Sequence, residues 1–179
     1  ADTLHEGAFG DYVLVVARLE PLKRVDLAVE AMAFVPPPIR LVVVGDGSQR
    51  EALTRRAAAL GLAPERIDFR GAMWGDAVVS LYAGALAVLY APFDEDYGYV
   101  TLEAFLAGKP VITATDSGGP LEFVVDGTNG LIRPPDATSL ATAVNELAAD
   151  RERATRLGRA GRLAAQAITW DGVIDRLLA

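Results

Sequence analysis

An apolar run at residues 87–90, Ala-Val-Leu-Tyr, is followed by a proline, Pro92, and an acidic loop, Asp94-Glu95-Asp96. Gly98 then introduces a short, nearly all-apolar helix over about 99–107. Gly108 caps it, and Pro110 leads a second apolar run at 111–113. The first run reads as a buried strand ended by Pro92. Strand, turn, helix and strand in this order make a crossover, with a helix N-terminus at the C-terminal edge of a parallel sheet. Open α/β sheets bind ligands at that edge, and helix N-termini attract anions.

Two carboxylates frame this helix, with seven residues between them: Glu95 in the loop and Glu103 about one turn inside. Glu103 stands among Val100, Leu102, Ala104, Phe105 and Leu106. A buried carboxylate needs a partner or a ligand hydroxyl, because unpaired polar burial costs about 2–7 kcal/mol. The plainer alternative is a first-turn Glu favoured by the helix dipole. It leaves Glu95 and the glycine after it unexplained.

The remaining chain alternates strand and helix signals. Strands are expected at 12–17, 40–44, 67–70, 87–90, 111–113 and before 132. Helices are expected near 25–34, 49–60, 76–82, 99–107 and 137–149, with a further one bearing Arg153, Arg156, Arg159 and Arg162. A closing amphipathic helix holds Trp170, Val173, Ile174, Leu177 and Leu178. On the helix at 25–34 the expected inward positions are Val25, Leu27, Ala28, Ala31 and Met32. This pattern predicts an α/β doubly wound, Rossmann-like parallel sheet of about six strands. Residues 1–11 read as a polar leader and 12–179 as one domain. His5 lies in that leader and reads as a tail residue rather than a ligand.

With 179 residues the chain can bury a sizeable core. It has no cysteine, which excludes disulfides and thiolate metal sites. The net charge of −7 is opposite to what a nucleic-acid binder carries. A phosphate ligand therefore needs local cations. Arg18 and Lys23 flank a turn broken by Pro21, at the C-terminal end of the first strand. They could grip a diphosphate, or be two solvated loop charges. The basic helical stripe could meet a membrane or a partner, or be a solvated face. Gly45-Asp46-Gly47-Ser48 fails the dinucleotide fingerprint, because Arg50 stands where its third glycine would be. It reads as a tight turn with Ser48 as N-cap. Asp136 is a candidate N-cap for the helix at 137–149. No run long enough to span a membrane and no signal peptide occur. The chain begins with Ala, and its methionines are Met32 and Met73, as expected for a piece of something longer.

The stretch at 92–121 resembles the E-x7-E element of retaining GT-B glycosyltransferases, the large group called family 4. Their form is close to P-S-x-x-E-G-F-G-L-x-x-x-E-A-x-x-x-G-x-P-V-I. Glu95-Asp96-Tyr97-Gly98-Tyr99 stands for E-G-F-G-L, and Glu103-Ala104 for E-A; Gly108, Pro110, Val111 and Ile112 also match. Asp96 replaces a glycine. Asp94-Glu95-Asp96 also fits D-x-D, a metal signature of another glycosyltransferase fold, which the surrounding E-x7-E context disfavours. The turn after the first strand resembles the family's G-R-L-x-x-x-K-G-x-D-x-L-I-x-A, with Ala17 and Arg24 in place of glycines and with Asp26, Leu27 and Ala31 retained. Ser117-Gly118-Gly119 and Glu122 resemble S-G-G-x-x-E, a wall of the donor site.

The resemblance implies the C-terminal, donor-binding half of an enzyme that transfers a sugar from a nucleotide diphosphate donor, with retention and without a metal or other cofactor. It assigns donor diphosphate binding to Arg18, Lys23, Tyr99 and Val100. Donor sugar binding falls to Glu95, Tyr97 and Gly98, with Glu95 at the catalytic position. Glu103 takes the ribose, and the backbone at Ala72 and Met73 the base. Trp74 could stack on a base or simply pack. The implied partners are a nucleotide sugar and, through an N-terminal domain, a sugar or lipid acceptor; the implied location is cytoplasmic, peripheral to the inner face of the membrane. A nucleotide-sugar epimerase of the same architecture and a binding-only module are the alternatives. A phosphoacceptor signalling domain would need acidic residues where Arg18 and Gly71 stand.

Overall fold

The computed structural model describes residues 4–168. Trp170 and the closing helix expected beyond it lie outside the described residues. Among those described, six strands form one parallel sheet in the order β3-β2-β1-β4-β5-β6. They are β1 (Tyr12–Val16), β2 (Arg40–Val44), β3 (Ile67–Gly71), β4 (Ala87–Leu89), β5 (Val111–Ala114) and β6 (Gly130–Arg133). The helices are α1 (Val25–Ala31), α2 (Arg50–Ala59), α3 (Asp76–Gly84), α4 (Tyr99–Leu106), α5 (Pro120–Phe123), α6 (Ala137–Ala149) and α7 (Arg151–Gln166). This is the doubly wound sheet that the alternation predicts.

β1, β2, β4 and β5 read as near-continuous apolar runs because both of their faces are covered, whereas the edge strand β3, Ile-Asp-Phe-Arg-Gly, is only partly buried. Successive side chains then divide between the faces. Val13, Val15, Leu41 and Val43 join one core layer with Val25, Val29, Leu53, Leu140 and Val144, from α1, α2 and α6. Leu14, Val42, Val44 and Val88 join the other with Tyr82, Ala104 and Phe105, from α3 and α4. Each fully buried Leu, Val or Phe contributes about 1.5–3 kcal/mol. α7 spans both layers, with Ala154 and Leu157 in the first and Ala165 in the second.

Several local expectations are corrected. α1 ends at Ala31, and a 3-10 turn (Met32–Phe34) continues it. Val29 is buried there, whereas Leu27 is only half-buried. Ser48 does not cap α2, whose N-cap is Gln49; its Oγ donates to Glu20 at 2.6 Å and its N–H donates to the same carboxylate at 3.1 Å. Asp136 does cap α6, accepting from the N–H of Ser139 at 2.8 Å. The arginines of α7 do not form one free stripe. Arg153 pairs with Glu146, and Arg162 donates to the Leu106 carbonyl, while Arg156 and Arg159 are exposed.

The described part of the leader is irregular and largely exposed, and it is tied to the domain by hydrogen bonds. The N–H of Gly10 donates to the Gly84 carbonyl at 2.9 Å. Arg151 reaches the carbonyls of Phe9 and Gly10 and pairs with Asp11. Lys109, fully buried, donates to the Gly7 carbonyl at 2.8 Å and lies 3.7 Å from the Phe9 ring centroid. His5 also makes a contact within the fold.

The strand order reverses direction between β1 and β4. The first three strands build outward from β1, and the chain then returns to add β4, β5 and β6 on the other side. The C-terminal ends of β1 and β4 therefore open onto the crevice where such sheets bind ligands.

Candidate functional site

β1 delivers Arg18 to that crevice, and β4 delivers the loop holding Glu95. One part of the cleft there, about 350 Å³, has Arg18, Lys23, Tyr90, Glu95, Tyr99 and Val100 among its lining. An adjoining part of about 550 Å³ shares Arg18, Lys23, Glu95 and Asp96 and continues to Leu22 and Phe93.

Lys23 ends a 3-10 turn (Pro21–Lys23), in which Pro21 fixes the first position. Its ammonium is ion-paired with Glu95 across the cleft, and both side chains are mostly buried. The Arg18 side chain is exposed and makes no hydrogen bond or ion pair among the described residues. The crevice thus holds one ion-paired cation and one that acts on Glu95 and Glu20 through its charge alone. Burial pushes the Glu95 carboxyl up, but hydrogen bonds from Lys23 and Tyr90, with the charges of Lys23 and Arg18, outweigh it and hold the pKa below the ordinary value. Burial, then the Glu95 carboxylate, raises the Tyr90 hydroxyl well above its usual range. Glu95 is therefore a carboxylate, and Tyr90 a neutral donor, at neutral pH.

The acidic loop is fixed by the glycine-rich loop after β5. The N–H groups of Asp94 and Glu95 donate to the carbonyls of Asp116 and Ser117 at 3.0 and 3.1 Å, and that of Gly119 donates to the Glu95 carbonyl at 2.6 Å. Gly118 has φ +69°, and a Cβ there would lie 2.6 Å from the Glu95 carbonyl oxygen. Only glycine lets the two loops approach so closely.

α4 starts beside this loop after Gly98, with no side-chain cap. The N–H of Thr101 donates to the Gly98 carbonyl at 2.9 Å, while those of Tyr99 and Val100 have no partner within the helix and carry the positive end of its dipole. Tyr99 and Val100 are in that turn and line the cleft. Tyr97 stacks against Tyr99 at 4.7 Å and meets the Phe123 edge at 5.0 Å between ring centroids. Glu103 has a protein partner that the sequence did not indicate: the Tyr82 hydroxyl donates to it at 2.6 Å. Burial and the Glu103 charge raise the Tyr82 pKa well above normal. One Glu103 oxygen is held, which leaves the other available for a further hydrogen bond.

Arg18, Lys23, Glu95, Tyr97, Gly98, Tyr99 and Val100 are thus brought together around the cleft. Glu103 stands behind them, toward α3. Ala72 and Met73 follow β3 at the same sheet edge, but two strand positions from β1 and outside the cleft lining. Trp74 does not pack: it is 80% exposed. The sequence reading did not single out Tyr90 and Tyr82. Both end apolar segments, which is the one signal that could have raised them, since a buried phenol needs a partner. Among the described residues no cluster of His, Cys, Asp or Glu could hold a metal ion, Asp94-Glu95-Asp96 included. No helix among them is long and apolar enough to cross a membrane.

The switch point of this doubly wound sheet thus gathers two cations, the first turn of α4 and the Glu95 carboxylate around one cleft. Residues 9–164 match the family described as Glycosyl transferases group 1. The chain belongs to that family. It is 33% identical over 177 residues to a D-inositol 3-phosphate glycosyltransferase of Nocardia farcinica, covering 93% of this chain and 39% of that protein. It is 34% identical over 160 residues to a GDP-mannose-dependent alpha-(1-6)-phosphatidylinositol monomannoside mannosyltransferase of Mycolicibacterium smegmatis, covering 84% and 42%. Among solved structures, Anabaena HepE in complex with UDP-glucose aligns with a TM-score of 0.84 and 28% identity, covering 94% of this chain and 48% of that one. The chain thus spans about two fifths of the length of the curated relatives it matches.

Proposed function

We propose that this chain is the donor-binding half of a retaining glycosyltransferase that takes a nucleotide diphosphate sugar and passes its glycosyl group to an acceptor. One observation carries this most directly: Arg18 and Lys23, set by β1, face Glu95 and the first turn of α4 across the switch-point cleft. The diphosphate sits between the two cations and the N–H groups at Tyr99 and Val100, Arg as a fork and Lys as a point charge. The ribose reaches Glu103, and the base lies along Ala72 and Met73. The donor sugar extends toward Glu95, Tyr97 and Gly98. Glu95 is already paired with Lys23, so its role is to hold sugar hydroxyls rather than to abstract a proton. The leaving phosphate accepts the acceptor's proton as it departs on the same face. Arg18 and Lys23 supply the charge compensation that a metal provides elsewhere, so no metal or other cofactor is needed. The acceptor, a sugar or a lipid, is bound by further chain of the whole enzyme, which works in the cytoplasm, peripheral to the inner face of the membrane. The relatives named for inositol phosphate and phosphatidylinositol acceptors support both possibilities for the acceptor.

The test is calorimetric titration with UDP, GDP, their sugar conjugates and the free nucleosides. A nucleoside diphosphate is expected to bind. Arg18→Ala and Lys23→Ala should each weaken it by about 1.5–3 kcal/mol, the worth of a charge-assisted contact, and leave the nucleoside unaffected. Binding of nucleoside and diphosphate with equal affinity, or of neither, would remove the proposal.

A further inference from the structure

Arg24 stands where the resembled family has a glycine, and its backbone is left-handed, with φ 46° and ψ 41°. That conformation is strained for a residue with a Cβ and persists only where the surroundings enforce it. The side chain supplies the enforcement. Nε donates to the Ala91 carbonyl at 2.9 Å and Nη2 to the Pro92 carbonyl at 2.6 Å. Nη1 and Nη2 form a fork on the Asp116 carboxylate at 2.9 and 2.6 Å. The guanidinium also lies 5.6 Å from the Phe93 ring centroid. Every guanidinium nitrogen is engaged, and Arg24 is not part of the cleft lining.

The acceptors belong to two different loops. Ala91 and Pro92 lead into the acidic loop, and Asp116 opens the glycine-rich loop. The Asp116 carbonyl in turn receives the N–H of Asp94, and the Phe93 N–H donates to the Leu22 carbonyl at 2.8 Å. The turn at 22–24 is therefore bonded to the acidic loop on both sides of Lys23.

We propose that Arg24, with Asp116, is a positioning residue of the donor cleft, locking three loops so that Lys23 and Glu95 face each other at the place a diphosphate and its sugar occupy. The assignment of the ligand rests on the donor-binding role proposed above; the brace itself does not. A glycine would adopt the same backbone freely, so Arg24→Gly removes the brace without straining the turn. Lysine cannot span the fork, so Arg24→Lys should not rescue it.

Two readouts on the 179-residue chain separate the brace from its ligand. The first is the titration of the Glu95 carboxyl carbon by NMR, which reports its placement against Lys23, Tyr90 and Arg18. The midpoint should move up toward the ordinary carboxylate range in Arg24→Gly and Asp116→Asn, and no further in the double variant. The second is calorimetry: UDP or GDP should bind roughly tenfold more weakly to each variant, the loss of one charge-assisted contact, while the matching nucleoside is unaffected. A Glu95 midpoint unchanged in a folded Arg24→Gly overturns the proposal. If that variant does not fold, Asp116→Asn decides, since it keeps the shape and both carbonyl contacts; an unmoved midpoint there is equally fatal. Equal weakening of nucleoside and diphosphate also overturns it, because a general loosening would do that. A parent chain that binds no diphosphate, with the midpoint shift intact, removes the donor assignment and leaves the brace standing.

Discussion

At the scale of single residues, the two glutamates are set apart by what holds them. Glu95 lies in a loop and is held by Lys23 and Tyr90; Glu103 lies on a helix and is held by Tyr82. Helical side chains tilt toward the helix N-terminus, and the proposed function places the ribose above that first turn, within reach of Glu103. Glu103→Gln is therefore expected to weaken free nucleoside diphosphate and nucleotide sugar alike. Glu95→Gln should spare the free diphosphate and weaken the sugar conjugate. Titration of both variants with both ligands checks this, and equal loss of free diphosphate in the two would end the division of roles. Spacing and an apolar setting drew attention to the glutamates in the sequence, and the family resemblance, not the spacing, supplied their expected roles. The sequence did not reveal their phenolic partners, since Tyr82 is 21 positions from Glu103 and the contact exists only once α3 and α4 pack. Nor could it reveal that Arg24 turns a substitution for glycine into a brace, since that depends on two loops about 70 and 90 residues away. Lys109 is a third kind of case. Burial pulls its ammonium down to about 8, although Glu6 acts the other way. The unfolded chain then holds more protons than the folded one between about pH 8 and its ordinary value near 10.4. Stability from this group should rise with pH across that window, its penalty being complete below it. In Lys109→Met, stability measured by denaturant unfolding at pH 7.5 to 10 should lose that upward slope; an unchanged slope would assign it elsewhere.

At the scale of elements, backbone approach matters more than side-chain identity. α7 crosses α4 and the turn after it at two small residues. A Cβ on Gly158 would lie 2.0 Å from the Gly108 carbonyl oxygen, and one on Gly161 2.4 Å from the Phe105 ring. The first obstacle is backbone and cannot rotate away. Gly158→Ala should therefore cost about 1–3 kcal/mol, the usual penalty of overpacking. It should lower the thermal midpoint with no change in the Glu95 titration, because the clash lies at the far end of α4. A shift in that titration would show that α7 also sets the cleft. β1, β2, β4 and β5 were legible as apolar runs because a parallel sheet buries both of their faces. The arginines of α7 were not, because sequence spacing treats them alike. Arg151 and Arg162 bind carbonyls of the leader and of α4, whereas Arg156 and Arg159 are exposed. The leader's hydrogen bonds to the domain were hidden for a related reason. Its polar composition hides backbone carbonyls that Lys109 and Arg151 secure at the sheet edge opposite the cleft.

At the scale of the whole molecule, the groups proposed to bind the donor lie on one sheet edge, and the cleft remains open to solvent. The Arg18 side chain is exposed and makes no ion pair, Tyr99 is 70% exposed and Trp74 80%, so nothing within the described residues closes over the cleft. Sugar transfer requires the acceptor to be held against the anomeric carbon and water to be kept out. The relatives that bear transferase names are more than twice as long as the part this chain matches. The 179-residue chain is accordingly expected to bind a nucleoside diphosphate with modest affinity and to catalyse no sustained transfer. Most of its affinity should reside in the diphosphate contacts, and should therefore fall with added salt as partly exposed ion pairs are screened. The check pairs calorimetry at two ionic strengths with a transfer assay, using UDP-glucose and GDP-mannose as donors and inositol phosphate as acceptor. Binding without turnover is the expected result. Sustained transfer by this chain alone would show that the open cleft already holds an acceptor, and would move the acceptor site onto the face bearing Phe93, Tyr97 and Tyr99.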